Sequence, residues 1–329
     1  FLSRIGYPTS AIIVDEKFDK RNCSFTSLNS WMDQITVGFN QLLNEVDVKG
    51  HTFMLTDFQK RIWEAMDKEQ VIGISAPTSA GKSFVILLKI IERISKGELD
   101  IVYIIPTLSL LNQVTQDFNN MLKKLNIKNY RISNTFIPDK KENLNNIYVL
   151  TQEKALSAFA NEDRAFSNPL ILIADEIQNI ERIKDDRDEI AKILFDMLME
   201  FRYKENVEQI IISGPRIEDI GELGSHIFGV DAESISTEDS PVFNLTYSIS
   251  KEENKYYFKQ YCSLTENPIC KLIDNTENIL GYGKKKYDDN YLKCLLYWVE
   301  HIGKDEQNII FAPTSAKARK IACYLAKDN

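Results

Sequence analysis

Five apolar runs, Val71–Ser75, Ile101–Ile105, Ile147–Leu150, Leu170–Ala174 and Gln209–Ser213, recur along the chain with helical patterns between them. Near-continuous apolar character suits strands buried on both faces, not strands with one wet side. Strands that alternate with helices read as a parallel sheet, because a parallel crossover needs a connection of helix length. The intervening helices include Lys82–Lys96, stopped by Gly97, and Leu108–Leu125; an amphipathic helix over Leu28–Val46 precedes the first run. The fold class expected is therefore α/β, with helices covering both faces of the sheet.

The first run ends in Ala76-Pro77-Thr78-Ser79-Ala80-Gly81-Lys82-Ser83, which also opens the helix behind it. A strand, a tight loop and a helix N-terminus form an anion site, since backbone N–H groups and the helix dipole converge on one point. In such a loop the lysine reaches the β/γ-phosphates and the following hydroxyl completes a Mg²⁺ shell. A lone Gly-Lys-Ser is common, and the first glycine of the usual loop is here Ala76. A second site strengthens the reading: Leu170–Ala174 is followed by Asp175-Glu176-Ile177-Gln178. Paired carboxylates at a strand end supply the remaining chemistry, one for the metal and one to orient an attacking water. ATP with Mg²⁺ is the implied ligand, and Lys82, Asp175, Glu176 and Gln178 are the candidate catalytic set.

Charge limits the partners. The net charge is −8 and the isoelectric point about 5.2, so a broadly basic surface that coats nucleic acid is excluded. Any such contact belongs in a local groove, with backbone groups and a few cations. The five cysteines are scattered and never spaced as Cys-x-x-Cys, which fits reduced thiols and neither a disulfide frame nor a zinc site. No segment reads as a secretory leader or an apolar span, so an intracellular, cytoplasmic location is expected, with a nuclear one open.

The pattern changes after about Val230. Pro241–Ser250 reads as an extended crossing segment. In Lys251–Tyr261, the aromatics Tyr256, Tyr257, Phe258 and Tyr261 fit core burial better than base stacking. Gly281–Lys286 reads as a loop, Asp289–Ile302 as a helix, Asn308–Ala312 as a fresh strand and Ala316–Lys327 as its helix. Glu181–Glu189 is a charge run that suits a solvated helix face. The chain starts at Phe1 and stops within a helical pattern, which reads as part of something longer.

Further segments fall into a familiar order: Phe53-Met54-Leu55-Thr56-Asp57-Phe58-Gln59, Pro106-Thr107-Leu108-Ser109-Leu110-Leu111-Asn112-Gln113, Thr151-Gln152-Glu153-Lys154, Ser213-Gly214-Pro215-Arg216 and Phe311-Ala312-Pro313-Thr314-Ser315. With the phosphate loop and the Asp-Glu-Ile-Gln box, they resemble a superfamily 2 helicase, most closely its Ski2-like branch. Ile217–Val242 is similar to that branch's linker. The resemblance implies a RecA-like domain over residues 49–245 and the start of a second over 246–329, after an N-terminal helical segment, 1–48. It also implies ATP-driven movement along, or unwinding of, DNA or RNA, as single strand or tailed duplex, with a protein partner subunit as a further expectation. A non-unwinding, ATP-gated clamp or sensor subunit is the alternative. Relatives of this branch serve repair, RNA turnover and antiphage defence.

Roles follow from the resemblance. Gln59 would read the adenine edge, and Phe53 would pack either on the base or in the core. Pro77, Thr78, Ser79, Ala80, Gly81, Lys82 and Ser83 would cradle phosphate, with Ser83 and Asp175 on Mg²⁺. Pro106, Thr107, Gln113, Thr151 and Glu153 would lie on the nucleic-acid side. Two departures stand out: Gln178 replaces the branch's usual histidine, and Ser213-Gly214-Pro215 replaces Ser-Ala-Thr, removing one hydroxyl that couples hydrolysis to strand separation. The arginine fingers of a second domain are expected beyond this stretch, which alone should bind nucleotide poorly and hydrolyse it slowly, if at all.

Overall fold

The computed structural model describes residues 6–7, 18–19, 24–25, 30–97, 99–138, 144–161, 165–182, 189–215, 217–238, 246–253, 255–261, 267–273, 292, 309–312 and 314–326. Contacts divide the chain into two compact units, Phe1–Pro241 and Val242–Asn329.

The first unit opens with two short paired strands, β1 (Phe18–Asp19) and β2 (Ser24–Phe25), then helix α1 (Trp31–Asn44). The hairpin β3 (Glu45–Val48) and β4 (His51–Met54) follows. Its turn, Lys49-Gly50, has φ of 56° and 75°, the paired left-handed geometry that twists with antiparallel strands. Helix α2 (Asp57–Lys68) begins with a capping box: Thr56 accepts from the Gln59 amide while Gln59 Oε1 accepts from the Thr56 amide. Such a cap is worth about 1 kcal/mol and sets where the helix starts.

The remaining elements alternate: β5 (Val71–Ser75), α3 (Lys82–Ile94), β6 (Asp100–Ile105), α4 (Leu108–Lys124), β7 (Tyr130–Ser133), β8 (Asn145–Thr151), α5 (Gln152–Asn161), β9 (Leu170–Ala174), α6 (Glu189–Arg202), β10 (Val207–Gly214), α7 (Ile220–Phe228) and β11 (Glu233–Ser236). The seven strands from β5 to β11 form one parallel sheet in the order β11-β5-β10-β9-β6-β8-β7. Alternation along each strand feeds two cores. Ile101, Tyr103 and Ile105 of β6 join the core under α2, α3 and α4; Val102 and Ile104 join the core under α5, α6 and α7. The sheet is thus covered on both faces, a RecA-like α/β arrangement, and its five apolar strands are those the sequence marks. Because all seven strands run in parallel, their C-terminal ends lie along one edge, where ligands of open α/β sheets bind.

The second unit contains an antiparallel sheet, β12 (Thr246–Glu252), β13 (Lys255–Tyr261) and β14 (Ile269–Leu272), and helix α8 (Ser315–Leu325) capped by Thr314. Tyr256, Tyr257 and Phe258 are half-buried in β13, and Tyr247 stacks on Phe258 with centroids 5.0 Å apart. The strand expected at Asn308–Ala312 does not form over Ile309–Ala312: Ile309 and Phe311 are exposed, and no described strand pairs with them. A strand needs a partner for its N–H and C=O groups. The expected loop at 281–286, most of the helix at 289–302 and most of the charge run at 181–189 fall outside the described residues. Among the described residues no helix is long and apolar enough to cross a membrane.

Candidate ATP and nucleic-acid site

The phosphate loop leaves the buried end of β5. Ala76 and Pro77 are buried, Thr78–Ala80 form one 3₁₀ turn, and Thr78 and Ser79 are exposed. The Ala76 amide donates to Gly214 O at 3.2 Å, which ties the loop to the end of β10. Gly81 caps α3 with φ of 75°, and a Cβ there would run into the Gln59 amide. Glycine is therefore required twice, by backbone and by space. Lys82 is buried, and its ammonium donates to the carbonyls of Ala76 and, at 3.4 Å, Pro77. Burial lowers its pKa, against the opposing pull of Asp175 and Glu176. Ser83, one residue further into α3, is exposed.

Asp175 and Glu176 stand at the end of β9, between β10 and β6. Asp175 Oδ1 accepts from the Ser213 hydroxyl and from the Glu176 amide at 3.0 Å, and Oδ2 accepts from the Tyr103 hydroxyl at 3.3 Å. Glu176 has φ of 58°, a left-handed conformation that costs a non-glycine residue energy and gathers at functional sites. Gln178 donates to Glu176 Oε2, and Asn179 donates through backbone and side chain to Glu176 O. Burial pushes the Tyr103 phenol well above its ordinary pKa, and the Asp175 charge adds to the shift. Among the described residues no three His, Cys, Asp or Glu side chains cluster as a metal cage. One carboxylate and one hydroxyl beside a phosphate cradle suit a Mg²⁺ that arrives with the nucleotide and takes most of its oxygens from phosphate and water. A buried lysine, an open helix N-terminus and glycine packed against Gln59 fit ATP with Mg²⁺.

Both departures from the helicase pattern meet in one contact. A Cβ on Gly214 would lie 2.8 Å from Gln178 Oε1 and 2.5 Å from Ile217 Cδ1. Glycine leaves room for the longer amide that stands in place of histidine. Gly214→Ala should destabilise the fold by about 1–3 kcal/mol through overpacking. Part of that loss should vanish when Gln178→Ala is added, a coupling that thermal melting of the two single variants and the double variant would measure.

Residues 56–214 match the family model of the DEAD/DEAH box helicases. Over these residues the chain is similar to DEAD/DEAH box helicases. A putative helicase, number 7, of Sulfolobus islandicus filamentous virus (isolate Iceland/Hveragerdi) is 26% identical over 253 residues, 73% of this chain and 39% of that protein. The ATP-dependent DNA helicase Hel308 of Thermoplasma volcanium is 29% identical over 137 residues, 40% of this chain and 19% of that protein. The chain thus spans well under half the length of these relatives. Crystal structures of the DUF1998 helicase MrfA, bound to DNA and to DNA with AMPPNP, align with TM-scores of 0.44 and 0.45 at 16% and 15% identity. The alignments cover 56% and 57% of this chain and 27% of each MrfA chain.

Within the matched region, Gln59 does more than the sequence suggests. Its Nε2 donates to Ala80 O at 3.3 Å, so one amide braces the start of α2 against the phosphate loop. A cavity of about 270 Å³ beside it is lined by Tyr7, Phe58, Gln59, Arg61, Ser79 and Thr237. Sequence reasoning missed Tyr7, Arg61 and Thr237, which come from three separate stretches that no local pattern links. Phe53 is not in this cavity. It packs partly buried on the core from β4, with its ring centroid 6.4 Å from that of Phe84 and Lys124 Nζ 5.4 Å from its centroid. This packing matches the core role, the second of the two places expected for it.

At the same sheet edge, Pro106 and Thr107 follow β6, and the Thr107 hydroxyl accepts from the Leu110 amide at 3.4 Å to cap α4. Thr107, Gln113 and Glu153 are exposed and Pro106 is half-buried. Thr151 departs from the expected surface: it closes β8 and is only 7% exposed. Its burial follows from pairing with Ile105 within the sheet. Tyr103 was not among the expected site residues, and Ser213 was marked only as part of a motif, without its bond to Asp175. A tyrosine inside an otherwise aliphatic strand is the signal that could have found the first, because a buried hydroxyl needs a partner.

Proposed function

We propose that this chain is the ATP-binding motor portion of a Ski2-like helicase that moves along single-stranded nucleic acid. The observation that carries the reading is the meeting, at one sheet edge, of buried Lys82, exposed Ser83 and the Asp175–Glu176 pair held by Ser213 and Gln178. Lys82 would exchange the loop carbonyls for phosphate oxygens, a stronger charge-assisted bond. Ser83 and Asp175 would hold Mg²⁺, which when bound neutralises charge on the phosphates. Glu176, fixed by Gln178, would take the proton of the water that attacks the terminal phosphorus as the bond to the bridging oxygen breaks. Thr107, Gln113 and the half-buried turn at Pro106 would face the sugar-phosphate chain, so base preference should be slight. The likeness to a protein named as an ATP-dependent DNA helicase favours DNA as the strand.

The test is ATP hydrolysis by the full-length protein that contains this chain, with and without single strands, followed by displacement of a tailed duplex. Hydrolysis stimulated by the strand, with displacement, is the expected result. Stimulation without displacement would identify an ATP-gated clamp instead, and absence of stimulation would overturn the reading. Nucleotide choice is a further check on Gln59. Its amide pairs with adenine N6 and N7 but not with the reversed pattern of guanine. ATP should be preferred over GTP, and Gln59→Ala should narrow the preference; equal use of both by the unaltered protein would refute the role.

A further inference from the structure

Tyr103 sits in the middle of β6, 1% exposed, among residues that are otherwise aliphatic. Its ring packs edge-on against Phe118 with centroids 6.1 Å apart, which would suffice for a core role. The hydroxyl does more. It donates to Asp175 Oδ2 at 3.3 Å and lines the same cavity as Ser83. These are the two residues proposed to hold Mg²⁺, so the inference rests on that reading of the site.

The sheet order explains the arrangement. Asp175 ends β9, whose two neighbours are β10 and β6. From β10 the Ser213 hydroxyl reaches Asp175 Oδ1, and from β6, where Tyr103 is in register with Ile173, the phenol reaches Oδ2. Oδ1 has a second donor in the Glu176 amide, whereas Tyr103 is the donor seen on Oδ2 among the described residues. Without that hydroxyl, the carboxylate is held only through the two donors on Oδ1, and its rotation about Cβ–Cγ is less restrained. Partners that fix the orientation of a metal ligand commonly change metal affinity or activity by about 10–100-fold when removed.

We infer that Tyr103 is a positioning residue for the metal site, holding the Asp175 carboxylate from the strand opposite Ser213. Tyr103→Phe removes the hydroxyl and keeps the ring in its place. The test titrates Mg²⁺ at fixed ATP and reads both hydrolysis and binding of a non-hydrolysable ATP analogue, with thermal melting alongside. The half-saturating Mg²⁺ concentration should rise about tenfold or more. Metal-free binding of the analogue should be unchanged, and excess Mg²⁺ should restore most of the activity. An unchanged Mg²⁺ requirement, with or without a fall in melting temperature, would overturn the inference and leave Tyr103 a packing residue. If the unaltered protein shows no Mg²⁺-dependent binding or hydrolysis of ATP, the reading of the site itself fails, and the inference with it.

Discussion

Glu176→Gln should lower ATP turnover by a factor of about 10² or more while ATP and Mg²⁺ still bind. The substitution keeps the size and most of the hydrogen bonding of the side chain but removes the base. Glu176 is held in a left-handed backbone conformation and is braced by Gln178 and Asn179, so the amide should occupy the same position. Equilibrium binding of a fluorescent ATP analogue, beside steady-state hydrolysis in the presence of single strands, separates the two effects. Near-normal turnover in this variant would show that another group accepts the proton.

Lys82→Ala should fail at an earlier step. Its ammonium is buried, faces the carbonyls of Ala76 and Pro77, and lies in the field of Asp175 and Glu176. Hydrogen bonds to charged groups contribute about 1.5–3 kcal/mol each, so ATP affinity should drop by roughly 10–100-fold, with turnover falling as well. The two variants are thus told apart by binding, which is retained in Glu176→Gln and lost in Lys82→Ala. Retention of tight ATP binding by Lys82→Ala would place the phosphates away from this loop. The pH dependence of Lys82 has a definite sign. A lysine whose pKa is lowered on folding binds fewer protons in the folded state. Lys82 therefore contributes a rise in stability as pH climbs from its folded pKa towards the ordinary lysine value, and a cost below that window.

The five central strands were legible because each is buried on both faces, and burial on both faces writes itself as an unbroken apolar run. The edge strands were not. Tyr130–Ser133 is half-buried throughout, and Glu233–Ser236 buries only Ile235, so neither carries such a run. The hairpin Glu45–Met54 was missed for a different reason: the helical pattern of α1 runs into it, and only the Lys49-Gly50 turn marks the break. The reverse error, a strand expected over Asn308–Ala312, shows that an apolar pattern proposes a strand but cannot supply its neighbour.

The parallel sheet, the phosphate loop and the carboxylate pair can be read along the chain, because each depends on residues adjacent in it. A strand end, a glycine in the left-handed region and a helix N-terminus form one local unit whose chemistry follows from spacing. Only the tertiary structure decided what surrounds that unit. The packing of Gln178 against Gly214, the clamp of Ser213 and Tyr103 on Asp175, the brace from Gln59 to the loop and the burial of Thr151 all join residues on different strands and helices. Strand order brings those residues together, and strand order is set by how two cores pack on opposite faces of one sheet, a property that no local spacing records.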